Sequence, residues 1–119
     1  MQPLYAFAKV GTLFDEYLRG DKVQQIDREW LRNFFDASSP GGPMTIEVVV
    51  RATGLSKRKI QRKLAEQGTS FKEVLDDWRY QRAAELLFDS TVSKAQIATR
   101  LHYAHSPSFY RALDRWASA

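Results

Sequence analysis

The 119 residues are 44% hydrophobic and 27% charged, with three Trp, five Tyr and seven Phe. That composition suits one small globular domain, or two lobes sharing a core, and is too aromatic for a disordered chain. No apolar run approaches the roughly 20 residues of a membrane span. The first residues lack the basic n-region of a secretory signal. The absence of cysteine excludes disulfides and thiolate metal sites and fits a cytoplasmic setting.

The net charge is +4, unevenly placed. Residues 1–44 hold five Lys/Arg against six Asp/Glu, and residues 45–119 hold thirteen against eight. A polyanion is therefore the natural partner of the second part.

In chain order, Leu4, Phe7, Leu13, Phe14, Tyr17 and Leu18 approximate a helical stripe. Asp27 is placed to cap a second helix that buries Trp30, Leu31, Phe34 and Phe35. These two amphipathic helices carry no obvious chemistry and read as a docking or packing segment over 1–44. SSPGGPM, residues 38–44, cannot continue a helix and marks the boundary.

Beyond it, short polar residues announce each helix. Thr45 precedes IEVVVRAT, which Gly54 ends. Ser56 precedes KRKIQRKLAEQ, which Gly68 ends. Ser70 precedes a long helix running to Asp89 or Ser90. Ser93 precedes KAQIATRL, and Ser106, with Pro107 at the first helical position, precedes SFYRALDRWA. No window shows the alternation of a half-buried strand. The fold class is all-α: two helix-turn-helix units, at 45–67 and 93–117, joined by a long linker helix at 70–89 and preceded by two amphipathic helices.

Helical geometry at about 100° per residue sorts the faces. In the first unit's second helix, Ile60 and Leu64 face inward, and Arg58, Gln61, Arg62 and Ala65 face outward. Five basic residues lie between Lys57 and Lys63. Arginine bonds guanine O6 and N7 together, and glutamine does the same to adenine N6 and N7. Lys57, Lys59 and Lys63 sit on the flanks, where phosphates would run. A nuclear-localisation reading of KRKIQRK fails because Ile60 belongs to the core face.

The second unit repeats the arrangement with a poorer outward face. Phe109, Ala112, Leu113 and Trp116 point inward. Pro107, Tyr110, Arg111 and Asp114 point outward, with Ser108 and Arg115 to one side. Only Arg111 is centrally placed to read a base. The joining helix, at about 18 residues, spans roughly 27 Å, against about 34 Å between consecutive major grooves on one DNA face.

GLSKRKIQRKLAEQGTSFKEVLDDWRYQRAAELL and SKAQIATRLHY…SFYRALDRW resemble the DNA-binding domain of AraC/XylS-type bacterial transcription regulators, over about residues 45–116. The resemblance implies two lobes, each placing its second helix in a major groove of double-stranded DNA. By position it assigns DNA contacts to Lys57, Arg58, Gln61 and Arg62, and to Ser106, Pro107, Ser108, Tyr110 and Arg111. Thr45, Ser56, Lys59, Lys63, His105 and Arg115 are candidate phosphate contacts. The family also implies RNA polymerase as a partner, a homodimer or a separate effector domain, and a nucleoid-associated location. Residues 1–44 are too short for a whole effector domain and suit the helical end of one.

The departures fall mostly on the second unit. His102 stands where the family usually has glycine, Leu113 replaces a common Phe, Asp114 replaces a commonly basic residue, and Pro107 replaces a common Ser. Val50 stands where the first unit often has Ala. A protein-interaction or dimerisation module with weakened DNA readout is the competing reading. His102 and His105 lack further ligands and read as turn residues. Asp15-Glu16 and Asp76-Asp77 diverge on a helix and form no catalytic dyad. No metal, no cofactor and no enzymatic activity are expected.

Overall fold

A computed structural model describes residues 26–40 and 42–118. The stripe expected over residues 4–18 lies outside them. The described residues form six helices and no strand: α1 (Arg28–Ala37), α2 (Ile46–Thr53), α3 (Lys57–Glu66), α4 (Phe71–Leu86), α5 (Lys94–Arg100) and α6 (Ser106–Ser118). They group into two compact units. The first holds α1, α2, α3 and α4 as far as Leu75, and the second holds α4 from Asp76 onward with α5 and α6.

Most helix starts follow the caps read from sequence. Asp27 accepts the Trp30 N–H at 2.8 Å, and Ser56 accepts the Lys59 N–H at 3.1 Å. Ser70 accepts the Glu73 N–H at 3.1 Å. Ser93 and Gln96 form a reciprocal capping box, with bonds of 3.1 and 2.8 Å. Thr45 holds the N-cap position of α2 in extended backbone, but its side chain caps no N–H. α6 begins at Ser106 itself, where the Ser108 N–H donates to the His105 carbonyl at 3.1 Å. Pro107 is thus one residue deeper in the helix than its sequence position suggests.

Helix ends show where backbone chemistry overrides pattern. α2 stops at Gly54, whose φ of 76° lies in the left-handed region. After α3, Gly68 at φ 76° lets its N–H reach Ala65 O while the Thr69 N–H reaches Leu64 O. That double bond pattern satisfies two orphan carbonyls. α4 ends at Leu86, short of the expected Asp89 or Ser90. There the Asp89 carboxylate accepts from both the Thr91 N–H at 2.9 Å and the Thr91 hydroxyl at 2.6 Å. Such a local side-chain turn competes with further helix.

In the first unit, α2 packs on α3 around Ile46, Val49, Leu55, Ile60 and Leu64, all buried. α1 adds Leu31, Phe34 and Phe35 to this unit, with Phe35 edge-on to Phe71 at 5.7 Å. The Gln67 amide donates to Ile26 O at 2.8 Å. Full burial of one such Leu or Ile side chain contributes about 1.5–3 kcal/mol. In the second unit, α5 packs on α6 around Ile97, Ala98, Leu101, Phe109 and Ala112. Trp78 and Ala83 of α4 are buried in this unit as well.

Candidate nucleic-acid interface

α3 presents its charge as helical spacing predicts. Ile60 and Leu64 are wholly buried, so the opposite face, with Arg58, Gln61, Arg62 and Ala65, is solvent-exposed. Lys57 is also exposed, and Lys59 and Lys63 are half-buried on the flanks. The Ser56 hydroxyl, spent as acceptor on the cap, still has a proton to donate outward. Thr45 is exposed at the start of α2.

One flank carries an unforeseen partner. Lys57 Nζ lies 3.3 Å from the Glu47 carboxylate of α2, both side chains being 55% exposed. The Glu47 backbone N–H and then Lys57 hold that carboxyl below its usual range. Solvent screening keeps such a pair weak, so an incoming phosphate can displace Glu47.

The turn from α2 to α3 is only Gly54, Leu55 and Ser56. The Thr53 hydroxyl donates to Val49 O at 2.8 Å and accepts the Leu55 N–H at 3.2 Å. Leu55 then plugs the core. This fixes the direction in which α3 leaves the turn.

The second unit is built on the same plan with different fittings. Its turn runs from Leu101 to His105, two residues longer than the first. His102 adopts φ 65°, the left-handed conformation that the glycine comparison leads one to expect. The Tyr103 N–H reaches Ala98 O and the His102 N–H reaches Thr99 O, repeating the pattern after α3. The imidazole is buried and stacked on Trp78, with centroids 5.5 Å apart. His105, by contrast, is exposed. Among the described residues no group of three or more His, Cys, Asp or Glu could hold a metal ion.

Arg79 locks this turn. Its Nε donates to Leu101 O at 2.8 Å, its Nη2 donates to His102 O at 2.7 Å, and its guanidinium lies 3.9 Å from the Tyr103 ring centroid. Burial lowers the guanidinium pKa from its ordinary value, yet arginine stays charged at any biological pH. Sequence reading assigned Arg79 no role. Its signal was position: it sits on α4 amid the buried Leu75, Trp78 and Ala83, where a solvated arginine has no place.

On α6, Phe109 and Ala112 are buried, while Leu113 and Trp116 are half-buried. Trp116 meets Tyr80 edge-on at 5.5 Å. Pro107, Tyr110, Arg111 and Asp114 are exposed, and Ser106 and Ser108 are half-buried. The Arg111 guanidinium donates to Ser108 Oγ at 3.3 Å. Arg115, expected to face phosphate, donates instead to the Asp76 carboxylate of α4 at 2.9 Å. α3 therefore carries five basic residues and one acidic, and α6 carries two and one.

The model of the family described as "Helix-turn-helix domain" matches residues 49–119. The HTH-type transcriptional regulator VqsM of Pseudomonas aeruginosa is 28% identical over 89 residues, covering 75% of this chain and 27% of that protein. The ornithine utilization regulator of the same species is 32% identical over 77 residues, covering 65% of this chain and 23% of that protein. The chain thus spans about a quarter of the length of these curated relatives. Among solved structures, the transcriptional regulator CdpR of Pseudomonas aeruginosa is 33% identical with a TM-score of 0.65, covering 77% of this chain and 29% of that one. The helix order, the two turns and these matches agree, and the chain belongs to the AraC-type helix-turn-helix family.

Proposed function

We propose that residues 45–119 are the sequence-specific DNA-binding part of a bacterial, cytoplasmic transcription regulator, and that residues 1–44 dock it to a further domain or a second copy. The observation that carries this reading is the exposed Arg58, Gln61 and Arg62 face of α3, backed by the wholly buried Ile60 and Leu64. In a helix-turn-helix the N-terminal residues of the second helix meet base edges. Arg58 and Arg62 suit guanine, Gln61 suits adenine, and each bidentate contact gives about 1–3 kcal/mol of discrimination. Lys57, Lys59, Lys63, Ser56 and Thr45 supply phosphate contacts that set register. On α6, Ser106, Pro107, Ser108, Tyr110 and Arg111 meet the second half-site, with His105 beside them. RNA polymerase is the candidate protein partner if the regulator activates transcription.

Selection of bound duplexes from a random pool, followed by titration at several salt concentrations, tests this. A defined site, affinity falling steeply with salt, and loss of preference over random DNA in Arg62→Ala are expected. Absence of duplex binding at low salt by the intact chain favours the protein-interaction module instead.

A further inference from the structure

We propose that α6 reads thymine by its 5-methyl group, through Pro107 and the exposed face of Tyr110, so that the two half-sites are read by different chemistries. This rests on the DNA-binding reading above. α3 offers hydrogen-bonding groups, Arg58, Gln61 and Arg62, on its exposed face. The first two turns of α6 offer something else. Pro107 is exposed and has no N–H to donate. Tyr110 is 42% exposed, and its ring rests 6.0 Å from that of Phe109, which is wholly buried.

Arg111 donates one of its five N–H groups to Ser108 Oγ at 3.3 Å and keeps the others. Asp114, exposed a turn further on, repels phosphate. Beside Arg111, what α6 offers a base edge is an apolar surface backed by the core. In the major groove only thymine carries a methyl, and apolar contact is how that group is read.

The test remakes the selected site with deoxyuridine in place of thymidine, one half-site at a time, and measures binding of the full chain. Uracil in the half-site under α6 weakens binding about four-fold per methyl removed. Tyr110→Ala weakens binding to the thymine duplex and reduces the thymine–uracil difference to what Pro107 alone contributes. Tyr110→Phe preserves that difference. Thermal unfolding of each variant confirms that it is folded. Equal binding of thymine and uracil duplexes by the unaltered chain, or a full difference surviving Tyr110→Ala, overturns methyl reading and leaves DNA binding standing. Failure to bind any duplex overturns both.

Discussion

His102→Gly tests whether the second turn is held by its backbone or by its side chain. Glycine restores the residue usual in the family and removes the left-handed strain at φ 65°, a gain of about 1–2 kcal/mol. It also frees the unfolded chain, which costs about 0.5–1 kcal/mol, so the backbone effects leave a net gain of about 0.5–1 kcal/mol. What remains is the ring. His102 is 2% exposed and stacks on Trp78 at 5.5 Å with a 23° interplanar angle. An aromatic pair contributes about 0.5–1.5 kcal/mol beyond burial, and burying most of an imidazole adds about another 1. The net expectation is a loss of about 1 kcal/mol, or roughly 5 °C in Tm for a domain of this size. Urea unfolding followed by circular dichroism and by Trp fluorescence measures it. A glycine variant as stable as the unaltered chain, or more so, would refute the reasoning, because it would show that the stacked ring contributes no more than the relief of backbone strain.

Arg79→Lys loses the fork that serves Leu101 O and His102 O together and destabilises the second unit by about 2 kcal/mol in the same unfolding assay. Ser56→Ala costs about 1 kcal/mol, whereas Thr45→Ala costs a few tenths at most, since only Ser56 caps an N–H; paired denaturation curves read the contrast. Burial raises the Tyr103 phenol pKa, opposed by Arg79, so the neutral form is favoured in the fold. That stability is fully present below the unfolded pKa of about 10 and is lost as pH climbs through the raised folded value. Tyr103→Phe flattens that alkaline loss in Tm measured against pH. Asp76→Asn costs at most about 1 kcal/mol, the pair being exposed, and frees Arg115 to meet phosphate; the slope of log affinity against log salt then steepens by about 0.9. An unchanged slope shows that Arg115 serves only to tie α6 to α4.

The helices and their faces were legible because they depend on local rules. Capping residues act within one turn, and the 100° period separates Ile60 and Leu64 from Arg58, Gln61 and Arg62 without reference to the rest of the chain. The left-handed turn at His102 was legible only through the family resemblance, because glycine usually stands at that position. The two misread helix boundaries share one cause, a side chain or carbonyl competing for a helix terminus: Asp89 with Thr91 beyond α4, and His105 O at the start of α6. The clamp at Arg79 and the pairs Asp76–Arg115 and Lys57–Glu47 join residues 10 to 39 apart in sequence, where spacing carries no signal. Of the candidate site, the exposure of Arg58, Gln61 and Arg62 on α3 was readable, while Arg115 was read as a phosphate contact because its partner Asp76 lies on another helix.

The two turns differ as their recognition helices do. The first is held by a left-handed glycine, one hydroxyl and one leucine plug. The second is held by a buried imidazole on Trp78 and by an arginine gripping two carbonyls. On the reading proposed for each helix, both modes of reading need a fixed approach. The bidentate hydrogen bonds of Arg58, Gln61 and Arg62 weaken steeply with distance and angle, and an apolar contact to a methyl group loses a quarter to a half of its attraction over a gap of about 0.5–1 Å. What differs is the help each helix has in seating itself. The lysines flanking the α3 face act on phosphate through a Coulomb field that falls only as the inverse of separation. α6, with two basic residues, has little of that help and depends more on the turn that Arg79 and His102 hold.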